Sequence, residues 1–109
     1  MEAVIQPFKL SEVQQSLMDA SVGGITVTEV KGHGSHEEAG LYYRGTVDKS
    51  WPAAKILIEV VVGDRDLREV VEALCRAART GRSGDGMIFI SDVDEAIRIR
   101  NDQRNEAAV

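Results

Sequence analysis

The stretch RTGRSGDGMIF, residues 79–89, holds the residue types that could bind an anion. Gly81, Gly84 and Gly86 stand in it beside three charged residues, and an apolar, strand-like run follows at once. Glycine lacks a Cβ, so the backbone N–H groups of such a turn can approach phosphate oxygens closely. The same composition suits an ordinary helix-to-strand connection, and Gly81 is expected to be only the helix end. The residues themselves leave both interpretations open.

A second candidate lies near the C-terminus, where Arg98 and Arg100 alternate with Ile97 and Ile99. Alternate side chains of a strand point to the same face, so both guanidinium groups would lie together. Two guanidinium forks that converge on one point suit a polyphosphate. The alternative is a strand edge whose charges are simply solvated.

The segment HGSHEE could in principle bind a metal. His33 and His36 stand three positions apart with Glu37 and Glu38 beside them, a set that can hold zinc or nickel. The spacing lacks the second ligand pair of a structural zinc site. A polar loop without a metal is therefore the favoured interpretation, and His36 could also respond to pH near neutrality.

Composition argues against several classes of function. The formal net charge is −5, whereas nucleic-acid binding needs clustered lysine and arginine. No apolar run approaches the roughly eighteen residues of a membrane span, and no signal peptide is visible. The single cysteine, Cys75, suits a reducing compartment, so a cytoplasmic protein is expected. No Ser-His-Asp set, acid–base pair or Walker motif is found, so an enzyme is not expected.

The apolar pattern predicts one α+β domain over residues 1–109. Ser11 with Gln14, and Asp66 with Glu69, are capping patterns that predict the starts of two helices, which end at Gly23-Gly24 and Thr80-Gly81. The predicted strands are EAVIQ at 2–6, ITVTEVK at 25–31, ILIEVVV at 56–62, MIFIS at 87–91 and AIRIR at 96–100.

This order is the ferredoxin-like βαββαβ arrangement with an extra C-terminal strand, followed by a mobile tail at about 101–109. Two helices would cover one face of the sheet and leave the other bare, which favours a closed symmetric oligomer over a monomer with a polar open face. The second and third strands are joined by about 24 residues, where hairpin loops usually have about 2–5. Tyr42, Tyr43 and Trp51 in this loop suit a surface that meets a partner.

Four blocks of the chain resemble the PII signal-transduction proteins: IQPFKLSEVQQSL, GGITVTEVKGHG, LYYRG and AARTGRSGDGMIFISDVDEAIRIR. The resemblance covers nearly the whole chain without gaps. It implies a homotrimer of ferredoxin-like subunits with adenine nucleotides (ADP, AMP or ATP) in the clefts between them. It also implies a projecting T-loop, at about 34–54 here, that docks on a target such as a membrane transporter or a metabolic enzyme.

The resemblance assigns roles to the positions that match the family's motifs. The nucleotide-binding positions that it implies are Thr26, Gly32, Gly34, Ser35, Glu59, Val61, Gly84, Asp85, Gly86, Met87, Arg98 and Arg100. The effector-binding positions are Ser35, His36 and Lys55. The partner-binding positions of the loop are Tyr42, Tyr43, Arg44, Asp48 and Trp51.

Two departures from the family's pattern concern charge and covalent control. The phosphate turn of similar proteins continues into a lysine, and Met87 stands there in this chain. The missing cation should weaken any preference for ATP, so that ADP or AMP is held comparatively well. Asp48 replaces the tyrosine that is uridylylated in many classical members, so control by uridylylation is not expected.

A third departure concerns the second effector. Ser35 and His36 replace an arginine and a glutamine, and the glutamine helps similar proteins to hold Mg-ATP and 2-oxoglutarate. Lys55, Ser35 and backbone amides could instead hold a smaller anion such as bicarbonate. In its divergent T-loop the chain resembles the carboxysome-associated PII-like proteins. The alternative is a classical nitrogen-regulatory PII that senses ATP, ADP and 2-oxoglutarate to control an ammonium transporter or a nitrogen enzyme.

Overall fold

The computed structural model describes residues 1–32 and 53–109, and between them the backbone of two short strands at Tyr42–Tyr43 and Thr46–Val47. Several positions singled out in the sequence lie outside the described residues: His33, Gly34, Ser35, His36, Glu37, Glu38, Arg44, Asp48 and Trp51. In the part of the chain that is described, neither α-helix has the length and apolar character needed to cross a membrane.

Four strands form the main antiparallel sheet: β1 at Glu2–Ile5, β2 at Thr26–Gly32, β5 at Ala53–Glu59 and β6 at Gly86–Phe89. Their spatial order is β2-β5-β1-β6. The two-residue strands β3 at Tyr42–Tyr43 and β4 at Thr46–Val47 pair with each other inside the long connection between β2 and β5. With helices α1 at Leu10–Asp19 and α2 at Leu67–Ala78, this confirms the predicted ferredoxin-like α+β fold.

The register of the sheet divides its side chains between a helix-covered face and an open face. Ile58 pairs with Ala3 on β1, and both side chains are fully buried under the helices against Leu17 and Leu74. Burial of such aliphatic side chains is the main stabilising contribution in a domain of this size. Successive side chains of a strand point to opposite faces of the sheet. Met87 of β6 lies on the open face, where its side chain is 61 % exposed.

The helix boundaries differ slightly from those predicted. A 3₁₀ turn at Pro7–Lys9 leads into α1, which therefore begins at Leu10, one residue before the predicted cap at Ser11. The helix ends at Asp19, and the residue that adopts the left-handed conformation after it is Ser21, with a φ of 63°, rather than Gly23. For α2 the predicted start is confirmed, because Asp66 is its N-cap residue, but the Asp66 side chain makes no capping hydrogen bond.

The C-terminal segment departs most from the prediction. The strand expected over 96–100 is reduced to an isolated antiparallel bridge between Ile97 and Arg104. The chain reverses after residue 100, and the backbone N–H of Asn105 donates to the carbonyl of Ala96 at 2.7 Å. Residues 101–109, predicted to be a mobile tail, supply this return and a 3₁₀ helix at Asn105–Ala108. The backbone of the alternating segment thus pairs with its own tail instead of extending the sheet.

Candidate functional site

The glycine-containing turn between α2 and β6 is fixed to the sheet through the carbonyl of Gly84. This oxygen accepts a hydrogen bond from Gln6 Nε2 at 2.8 Å and another from Lys55 Nζ at 3.0 Å. Lys55 is only 5 % exposed although it carries a charge, so the carbonyl contributes to compensating its burial. The structure therefore brings the predicted effector lysine into direct contact with the predicted phosphate turn.

Asp85 closes the same turn with its side chain. Its carboxylate accepts hydrogen bonds from the backbone N–H groups of Thr80 at 2.8 Å and Gly81 at 2.9 Å, and from the Thr80 hydroxyl. The Thr80 hydroxyl and these amides hold the pKa of Asp85 below its ordinary value, and the charge of Lys9 acts in the same direction. Because the carboxylate is engaged within the turn, a contact from Asp85 to a bound anion would use its backbone N–H.

Replacing Asp85 by asparagine is expected to lower the free energy of unfolding at neutral pH by about 1 kcal/mol, since an exposed site screens the lost charge-assisted hydrogen bonds. The lowered pKa sets the pH dependence. The aspartate's contribution is complete above the unfolded-state pKa of about 3.9 and disappears as pH falls through the lower folded-state value. Urea unfolding at pH 7 and pH 3 measures this, with exposed Asp92→Asn as the control. A difference between wild type and D85N that stays constant with pH would contradict it.

Four of the predicted nucleotide-binding positions meet at a separate cleft of about 680 Å³. Thr26 and Glu59 are direct partners in the register of β2 and β5, and Val61 follows β5 into the wall of this cleft. Arg98 joins them from the C-terminal segment, where its Nη2 donates to the carbonyl of Ala108 at 3.1 Å. Within the described residues, Arg98 Nε is buried and has no hydrogen-bond partner.

Arg100 is not brought into this cleft. The prediction that Arg98 and Arg100 share one face assumed an extended strand, and the chain instead turns at this point. Arg98 is half-buried against the tail, whereas Arg100 is exposed in the turn and Ile99 between them is 97 % exposed. The strand geometry behind the argument for a joint polyphosphate clamp is therefore absent from the isolated chain.

The turn and the cleft lie at opposite ends of the sheet. Along β1, Ile5 pairs with Gly86 at the turn, while Glu2 pairs with Glu59 at the cleft, a separation of about 10 Å along the strand. The turn end also holds Gly32, where an added Cβ would lie 3.8 Å from Lys55 Cγ. One copy of the chain thus separates the predicted binding residues into two groups, each incomplete.

Sequence reasoning missed Gln6 and Thr80, which hold the turn from its two sides. Thr80 and Asp85 stand five residues apart with two glycines between them, and this spacing could have predicted a turn closed by their side chains. Nothing local marks Gln6, whose contact joins residues 78 positions apart. No group of three potential metal-ligating side chains occurs among the residues that the structure describes, and HGSHEE lies outside them.

The structure defines a ferredoxin-like protein with a polar turn and an arginine-bearing cleft at opposite ends of one sheet. The family model described as "Nitrogen regulatory protein P-II" matches residues 1–103. The chain therefore belongs to the P-II family of regulatory proteins, which confirms the resemblance found in its sequence.

Curated relatives cover the full length of the chain. The chain is similar to proteins named "Nitrogen regulatory protein P-II" from Cereibacter sphaeroides at 47 % identity, and from Bradyrhizobium diazoefficiens and Nostoc punctiforme at 44 % each. Each match spans 109 residues, which is 100 % of this chain and 97 % of the relative. These names give the classical alternative at least as much support as the carboxysome-associated assignment.

Proposed function

We propose that the chain is a P-II-type regulator that binds adenine nucleotides between copies of itself and signals through its long loop. The observation that carries this proposal is the separation of the turn from the cleft. A site that uses both groups can form where the turn of one copy faces the cleft of another. In a closed ring the turn of every copy meets the cleft of a neighbour, and the family resemblance favours a homotrimer.

The chemistry of the two groups suits the two halves of a nucleotide. The turn offers backbone N–H groups, which fit phosphate oxygens, and its Gly84 carbonyl is held by Lys55. The cleft combines the hydroxyl of Thr26, the carboxylate of Glu59 and the apolar wall of Val61, which fits a ribose and a base. Arg98, whose Nε lacks a partner among the described residues, adds a cation at the cleft.

Two anions are candidates for a second effector. Ser35 and His36 in place of the family's arginine and glutamine favour a small anion such as bicarbonate, held with Lys55. The relatives' names favour a nitrogen regulator, for which 2-oxoglutarate is the expected effector. Synergy between ADP or ATP and one of these anions in a calorimetric titration would select between them.

The output of the proposed regulator is the loop between β2 and β5. Tyr42, Tyr43 and Trp51 would present aromatic surface to a target protein, with Arg44 and Asp48 supplying charge. A cytoplasmic face of a membrane transporter, or a metabolic enzyme, is the proposed target class. No role for nucleic acid is proposed, because the net charge is −5.

Arg98→Ala tests the nucleotide site. We expect ADP and ATP affinity to fall about 10- to 100-fold, the range for losing a charge-assisted hydrogen bond. Arg104→Ala is the matched control, because Arg104 lies in the same C-terminal return and pairs with Glu95 away from the cleft. Calorimetry gives the affinities and size-exclusion chromatography with light scattering gives the oligomeric state. A monomeric wild type, or one whose melting temperature no adenine nucleotide raises at millimolar concentration, would overturn the proposal.

A further inference from the structure

We propose that Gln6 is a positioning residue for the phosphate turn. It orients the turn by a hydrogen bond to the carbonyl of Gly84 and does not contact the ligand itself. This inference rests on the proposed function. The carboxamide of Gln6 donates to that carbonyl at 2.8 Å, beside the ammonium group of Lys55 at 3.0 Å. Three elements meet at one oxygen: the residue after β1, the interior of β5 and the α2–β6 turn.

Planarity of the peptide bond explains how this contact acts on a ligand. In a trans peptide the carbonyl of one residue and the N–H of the next point in opposite directions. Two donors that hold the Gly84 carbonyl toward the sheet therefore aim the N–H of Asp85 away from Gln6 and Lys55. The Asp85 side chain is held separately by Thr80 and Gly81, so the peptide is fixed at both ends.

Gln6 itself is well placed for a fixed rather than a fluctuating contact. Its backbone is extended, with φ −67° and ψ 137°, and the rigid ring of Pro7 follows it. Its side chain is half-buried, which limits competition from water. Because Gln6 is uncharged, replacing it tests how the geometry of the turn affects binding without changing the charge of the site. A substitution of Lys55 would change both the geometry and the charge.

The test is Gln6→Met, which keeps length and neutrality but removes the donor, with Gln14→Met on the exposed face of α1 as the matched control. We expect ADP and ATP affinity to fall about fivefold, the equivalent of one hydrogen bond, with an unchanged salt dependence. Amide hydrogen exchange at Asp85 and Gly86 should accelerate about tenfold while exchange at Ile58 in the core stays as in the wild type. Gln6→Asn, whose shorter amide falls short of Gly84, serves if Gln6→Met does not fold.

The outcomes separate this inference from the proposed function. Wild-type affinity together with wild-type amide exchange at Asp85 in Gln6→Met would overturn the positioning role and leave nucleotide binding intact. Faster exchange at Ile58 as well would show general loosening of the sheet and would also overturn it. A wild type that binds no adenine nucleotide would overturn the proposed function, whatever the exchange rates show.

Discussion

Gly86→Ala is expected to lower the free energy of unfolding by about 3–5 kcal/mol, or to prevent folding altogether. Gly86 has a φ of +109°, which L side chains rarely adopt. A Cβ there would overlap the carbonyl oxygen of Val4 and lie 2.8 Å from its carbonyl carbon and 3.4 Å from Ile5 Cα. These are backbone atoms of β1, which is paired on both sides, so the obstacle cannot move without breaking the sheet.

Urea unfolding of the purified variant measures the effect, with Gly23→Ala as the matched control. A Cβ at Gly23 meets nothing within 4 Å, so that change should alter stability by no more than about 0.5 kcal/mol. Equal stability of Gly86→Ala and Gly23→Ala would contradict the prediction. The structural requirement for Gly86 exists without a ligand, so loss of nucleotide binding in Gly86→Ala is not by itself proof of a phosphate contact.

Met87→Lys is expected to raise ATP affinity by about tenfold or more and AMP affinity much less. Met87 directly follows the turn and is 61 % exposed on the open face, so a lysine there loses little hydration in the free chain. An ammonium group near a bound polyphosphate forms charge-assisted hydrogen bonds worth about 1.5–3 kcal/mol. The gain should grow with the number of phosphates, because the more distal groups carry the added negative charge.

Calorimetric titration of the wild type and Met87→Lys with ATP, ADP and AMP measures how the gain in affinity depends on the number of phosphates. Met18→Lys is the matched control, since Met18 is 66 % exposed on α1 and the change adds the same charge away from the turn. We expect Met18→Lys to leave the affinities for ATP, ADP and AMP unchanged at physiological ionic strength. Two results would show that the missing lysine does not set the preference between ATP and ADP. One is a wild type that already binds ATP far more tightly than ADP, and the other is a Met87→Lys variant whose gain in affinity does not increase with the number of phosphates.

The pattern of apolar residues was sufficient to predict the four strands of the main sheet and the two helices, although the strand predicted over 56–62 lies at Ala53–Glu59. Ile56 and Ile58 of β5 and Leu74 of α2 are apolar residues of predicted elements, and all three are buried. Such periodicity predicts structure because one face of each element must leave water. The strand predicted from the alternation of Ile97, Arg98, Ile99 and Arg100 was wrong, because the same period-two pattern occurs here in a segment that folds back on itself.

The amino-acid sequence by itself determined the class of fold, the family and the types of residue available to bind an anion, because these follow from local periodicity and from motifs contiguous in the chain. Only the tertiary structure decided that Gln6 and Lys55 share the carbonyl of Gly84 and that Gly86 must lack a side chain. It also separated the turn from the cleft of Arg98. These relations join residues far apart in sequence, and they depend on strand register and backbone direction, which no local pattern encodes.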